Sequence, residues 1–176
     1  VDQVVNRLLL RFEAKTIGEG KAFIANTPFV GELIKHSNPR ADIYTIENVV
    51  QDVYWRAQNR DLAVPGYILF VGTISRSKGI EDLLRAFHLL NNERPDLQLK
   101  IIGYGDRDYI REIVLPLIAS CGLTDLVEFC GKKTAPYIAK KLERALCLAV
   151  PSHMEQAPQA IAEAMAVGIP VVATKV

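Results

Sequence analysis

The amino-acid sequence predicts an α/β protein built on a parallel sheet flanked by helices. Three observations lead there. From residue 67 onward, short aliphatic runs alternate with stretches whose apolar residues recur at helical spacing. The runs lack polar alternation, as do strands buried on both faces. Strands separated by helices pair in parallel through right-handed crossovers, which places the helices over the sheet faces.

Each element follows from local signals. Residues 67–71, Tyr-Ile-Leu-Phe-Val, form the first strand of this sheet. Ile80, Leu83, Leu84, Phe87 and Leu90 then fall on one face of a helix. Pro95 and Asp96 end it, and residues 97–102 form the second strand. Ile110, Ile113, Val114, Leu117 and Ile118 mark a helix that Pro116 should kink or shorten, with Gly122 as its stop. Residues 126–129 read as a third strand, 136–145 as a helix and 146–150 as a fourth strand. Pro158 suits the first turn of a helix, where a missing N–H is harmless. Gly168 stops that helix, and residues 169–173 form a fifth strand.

Residues 1–62 have a different character. Residues 1–13 are amphipathic and helical, and 22–26 form a strand. Thr27 and Pro28 make an N-cap and first-turn pair for a helix through Ile34. Residues 43–50 read as a further strand or an extended linker, and 59–66, with Pro65, as the loop into the main domain. The expected division is 1–62 and 63–176. The second part is Rossmann-like, with its ligand at the carboxyl ends of the strands.

Bulk properties exclude several classes. With 49% hydrophobic and 23% charged residues in 176, the chain is ordinary for a globular protein of one domain plus a piece of another. A net charge of +1 and the absence of a basic stripe interleaved with aromatics give no reason to expect nucleic acid. The densest positive segment, Lys132, Lys133, Lys140, Lys141 and Arg144, reads as the wet face of a helix or as a membrane-surface contact. Cys121, Cys130 and Cys147 show no paired spacing and read as reduced core thiols of a cytoplasmic protein. No apolar run is long enough to span a bilayer, and no signal peptide is recognised. His36, His88 and His153 form no metal-ligand pattern, and His88 is expected at the surface.

The residues richest in chemistry are Glu155 and Glu163, eight positions apart where a strand hands over to a helix. Glu155 falls in the loop above a strand end. Glu163 lies five residues past Pro158, roughly 7–8 Å along a helix axis. Two carboxylates beside a helix N-terminus can hold sugar and ribose hydroxyls while the helix amides face a phosphate. A lone pair of glutamates there usually supports the macrodipole and nothing more. Here the pair comes with a buried strand before it, a small-residue helix, and a second motif upstream. That motif is Gly72, Thr73, Arg76, Lys78 and Gly79, where glycines admit a ligand close to backbone and a cation can neutralise a diphosphate.

The stretch from Leu146 to Thr174 resembles the Glu-x7-Glu motif of retaining GT-B glycosyltransferases of the family 4 type. The similarity runs from about Phe23 to Thr174 and is strongest from Tyr67 onward. It implies the C-terminal, donor-binding half of a GT-B fold, truncated at both ends, with residues 1–62 as a remnant of the acceptor-side domain and linker. By resemblance Glu155 holds the transferred sugar, Glu163 the ribose, and the amides near Gln159 and Ala160 the distal phosphate. Lys78 and Gly79 match the family's Gly-Arg-x4-Lys-Gly loop, whereas Thr73 stands in place of its arginine. Arg76 either substitutes for it or is a solvated loop charge. Gly103 and Gly105 resemble the turn near the nucleotide, and Gly131 with Lys132 the segment that reads the base.

The implied substrate is a nucleotide diphosphate sugar, with no separate cofactor. The implied acceptor is a carbohydrate, a lipid-linked sugar or another hydroxyl compound. The chain contains no Asp-x-Asp motif, so no obligatory metal is expected. Two rivals on the same scaffold are a non-catalytic nucleotide-binding or regulatory module and a glycosyl phosphorylase or synthase. The segment alone is expected to bind a nucleotide diphosphate weakly without sugar turnover.

Overall fold

The computed structural model describes residues 2–57 and 66–176, with side chains described from residue 10 onward. In chain order the elements begin with α1 (Asp2–Glu19), β1 (Ala22–Ala25), α2 (Pro28–Ser37), β2 (Asp42–Thr45) and α3 (Asp52–Arg56). The main sheet and its helices follow as β3 (Tyr67–Val71), α4 (Ile80–Asn91), β4 (Gln98–Ile102), α5 (Arg107–Tyr109), α6 (Leu115–Ser120), β5 (Val127–Gly131), α7 (Ala135–Leu142), β6 (Ala145–Val150), α8 (Gln159–Val167) and β7 (Val171–Ala173). A 3-10 turn, Arg76–Lys78, precedes α4, and a π-helical turn, Ile110–Val114, joins α5 to α6.

Two compact units divide the chain, Val1–Val49 and Val50–Val176. The division precedes the expected 62/63 boundary because Tyr54 and Ala57 are packed into the core of the second unit. The expected loop at 59–66 falls, apart from Gly66, outside the described residues. In the first unit β1 and β2 pair in parallel. Thr27 caps α2 as expected, accepting from the Val30 N–H. Buried Asn38, at the other end of α2, donates to the carbonyls of Ile17 and Gly20, tying that end to α1.

The second unit is a five-stranded, wholly parallel sheet in the order β5-β4-β3-β6-β7. Alternating side chains feed two cores. Leu69 and Ile102 pack with Tyr54, Leu142, Leu148 and Ala164 under α3, α7 and α8. Phe70, Leu99 and Ile101 pack with Leu84, Phe87, Val114 and Ile118 under α4 and α6. Burial on both faces explains the strands' continuous aliphatic character.

Several local expectations are corrected. Pro116 does not shorten its helix, which runs on to Ser120. The π turn before it lets the Leu115 N–H reach the Ile110 carbonyl, absorbing the proline within one continuous helical stretch. Pro158 is the N-cap of α8, with extended ψ, and not its first helical residue. The last strand starts at Val171, since Pro170 has no N–H to give the ladder and contributes its carbonyl to Leu148. His88 is half-buried, its Nδ1 bonded to the Cys121 carbonyl. The three cysteines are free thiols and only partly buried.

Candidate functional site

Strand order in the second unit reverses between β3 and β6. From β3 the chain steps outward through β4 and β5, then returns to β6 on the other side. The loops after β3 and β6 therefore diverge to opposite faces and leave a crevice above the strand ends. A hollow of about 270 Å³ opens there, lined by Gly72, Thr73 and Lys78 from the β3 side and by Ser152, Glu155, Gln159 and Ala160 from the β6 side.

Glycine lets these loops meet. Gly79 adopts φ +66, and an added Cβ would stand 1.9 Å from the Pro151 carbonyl oxygen. The turn after β3 is thus pressed on the first residue after β6. The Ser77 carbonyl accepts from the His153 N–H at 2.9 Å, which binds the same two loops again.

Across this seam Lys78 Nζ donates to Glu155 Oε1 at 2.6 Å, with side chains 31% and 17% exposed. Ser152, only 2% exposed, donates its hydroxyl to the same oxygen at 2.7 Å, while its own carbonyl accepts from the Thr174 hydroxyl. Glu155 is therefore held by a cation and a buried hydroxyl. Ser152 was not among the sequence candidates: a serine after a strand carries no distinctive signal.

Glu163 is placed differently. It does not line the hollow; it lies on α8 one turn beyond Gln159, on the same side by the i, i+4 rule, hydrogen-bonded to the Tyr54 hydroxyl of α3. Burial pushes its carboxyl above the usual range, and the Tyr54 bond pulls the other way. The same burial and the facing carboxylate push the Tyr54 phenol upward. Tyr54 is a second residue the sequence did not single out, because it lies more than 100 positions upstream.

Arg76, open to two readings from the sequence, lies away from Lys78. It is 73% exposed, paired with Glu81 at 3.5 Å and stacked over the Tyr109 ring at 5.9 Å, outside the hollow lined by Lys78. In a 3-10 turn each residue rotates about 120°, so Arg76 and Lys78 cannot share a side. The remaining candidates gather around a shallower hollow of about 210 Å³ that shares Gly72 and Thr73 with the first and adds Gly103 and Lys132. Lys132 Nζ rests 5.3 Å from the centre of the Tyr104 ring. Gly103 passes so near Gly72 that a Cβ would be 1.8 Å from its carbonyl oxygen, and its N–H donates to the Gly131 carbonyl. Gly105 bridges to Ile74 beneath this turn and, like Gly131, lines neither hollow. Among the described residues no three His, Cys, Asp or Glu side chains are grouped as metal ligands would be, and no helix is long and apolar enough to cross a membrane.

Comparison with known proteins agrees with this architecture. The family model of glycosyl transferases group 1 matches residues 55–176, and the chain belongs to that family. It is 32% identical over 175 residues to the D-inositol 3-phosphate glycosyltransferase of Arthrobacter sp. (strain FB24), covering 93% of this chain and 42% of that relative. The solved structure of sucrose-phosphate synthase from Thermosynechococcus elongatus superposes with a TM-score of 0.78 at 24% identity, over 93% of this chain and 43% of that one. Anabaena HepE, solved in complex with UDP and glucose, gives 0.74 at 21% identity, over 93% and 47%. The fold is the C-terminal half of a GT-B glycosyltransferase. The chain spans less than half the length of these relatives.

Proposed function

We propose that the chain is the donor-binding part of a retaining glycosyltransferase of the family 4 type, acting on a nucleotide diphosphate sugar and a hydroxyl acceptor. The Lys78–Glu155 pair carries this reading, because it sits at the crevice where strand order reverses, beside the N-terminus of α8. The diphosphate lies against Lys78 and the first turn of α8, whose dipole favours negative charge. As the donor enters, Lys78 passes from Glu155 to phosphate oxygens, and Glu155, still fixed by Ser152, accepts from sugar hydroxyls. Glu163 holds the ribose in exchange for its Tyr54 contact, and Gly103, Gly131 and Lys132 flank the base.

In the reaction the bond from the anomeric carbon to the phosphate oxygen breaks, and the acceptor oxygen bonds to that carbon on the same face. The acceptor proton passes to the departing diphosphate. This chain's residues act by positioning and by stabilising the leaving charge. The acceptor is a carbohydrate, a lipid-linked sugar or another hydroxyl compound, and residues 1–49 belong to the acceptor side.

Calorimetric titration of the chain with UDP and GDP, repeated on Lys78→Ala and Glu163→Ala, tests this. Each substitution should weaken nucleotide binding by about tenfold or more, as loss of a charge-assisted contact does. Unchanged affinity in both folded variants would overturn the site. One observation favours a second reading, a non-catalytic nucleotide-binding module. Arg76 is committed to Glu81 and Tyr109, so Lys78 stands without a companion arginine in the lining of its hollow.

A further inference from the structure

At the amino end of the strands, on the α7 face, Tyr67, Lys100, Tyr137, Lys140, Lys141 and Arg144 enclose a separate hollow of about 420 Å³. Tyr67 opens β3 and Gly72 follows its end, so roughly 16 Å of strand lies between this hollow and the donor crevice.

Its construction differs from that of a solvated basic surface. Lys100 rises from β4, flanked by β3 and β5, where an aliphatic residue is usual, and its side chain is only 13% exposed. Its ammonium lies 4.8 Å from the centre of the Tyr67 ring and is paired with Glu128 of β5. Lys141 approaches the same ring at 6.0 Å and the Tyr137 ring at 5.4 Å. The Tyr67 hydroxyl donates to the Lys141 carbonyl at 2.7 Å, locking strand to helix beneath the cations. Lys140 and Arg144 complete the rim. Among the described residues Glu128 is the carboxylate paired with this group, and no salt bridge engages Lys140, Lys141 or Arg144.

Four cations held on rigid elements around a concave, aromatic-walled space concentrate positive potential there. A compact group with several acceptor oxygens and two charges is what satisfies ammonium and guanidinium donors together. The tyrosine rings offer apolar walls to the organic part of such a ligand. We propose that this hollow binds the phosphate of a phosphate monoester, carried by a free phosphorylated small molecule or by a lipid headgroup.

Nitrogen-15 NMR titration of the chain with inorganic phosphate provides the test, alongside flotation with phosphatidylcholine vesicles prepared with and without phosphatidic acid. Phosphate should shift the amides of Tyr67, Lys100 and residues 140–144. Lys140→Glu and Arg144→Glu, both at exposed positions, should weaken this about tenfold or more while leaving UDP affinity unchanged. Phosphatidic acid-dependent flotation lost in these variants supports the site with a lipid as its source. Phosphate shifts without flotation support it with a soluble ligand. Shifts confined to residues 72–79 and 157–160, or binding and flotation that ignore both substitutions, overturn it. UDP affinity is read separately, so failure here is distinguishable from failure of the donor site.

Discussion

Replacing Gly79 by alanine probes the seam that holds Lys78 against Glu155. The added methyl meets two obstacles. A Cβ at φ +66 costs roughly 1 kcal/mol in the left-handed region. It also falls 1.9 Å from the Pro151 carbonyl oxygen and 3.2 Å from the Pro151 Cβ, and only movement of the loop after β6 relieves that overlap. Forced repacking of this kind adds roughly 1–3 kcal/mol. Gly168 supplies the control: its φ is +86, but nothing lies within 4 Å of a methyl added there, so Gly168→Ala incurs the first cost alone. Urea denaturation followed by circular dichroism should therefore show Gly79→Ala less stable than Gly168→Ala by roughly 1–3 kcal/mol. UDP binding should fall with it, because Pro151 begins the loop that carries Ser152 and Glu155. Equal losses in the two variants would refute the idea that this close approach fixes the loop.

Further outcomes follow from other contacts. The Glu163 carboxyl has its folded-state pKa raised above the unfolded value, so the wild-type contribution is full below the unfolded pKa and is lost as pH rises through the folded one. Glu163→Gln, which cannot ionise, should gain stability relative to wild type as pH rises above the ordinary carboxylate range. A difference independent of pH would contradict the assigned burial. Tyr54→Phe removes the donor that opposes this shift, so a carbon-13 titration should find the Glu163 carboxyl higher still. Ser152→Ala deletes a buried hydroxyl bonded to Glu155 and should lower stability by about 1 kcal/mol in chemical denaturation. Leu99→Ala, at a fully buried position in the central sheet, should cost roughly 2–5 kcal/mol by the same assay.

Much of the fold was legible because its signals are local. The aliphatic runs at 67–71 and 146–150, the i, i+3, i+4 spacing from Ile80 and the Thr27–Pro28 cap act through neighbouring residues, and the corresponding elements stand within three residues of expectation. The helix runs past Pro116 because the backbone before a proline can take a wider turn, which residue spacing does not reveal. Arg76 admits two readings because sequence spacing does not say that the turn is 3-10, and that geometry sends it to Glu81.

The sequence by itself determined which segments are strands and helices, and that Glu155 stands in a loop after a buried strand. Periodicity, proline and glycine act over a few residues and need no partner. The tertiary structure alone decided that β3 lies beside β6, which brings Lys78 to within 2.6 Å of a carboxylate 77 residues away. It alone turned Glu163 toward Tyr54 and set Lys100 beneath the cations of α7. Contacts of that range depend on strand order and on which face each helix covers, and no local signal encodes either.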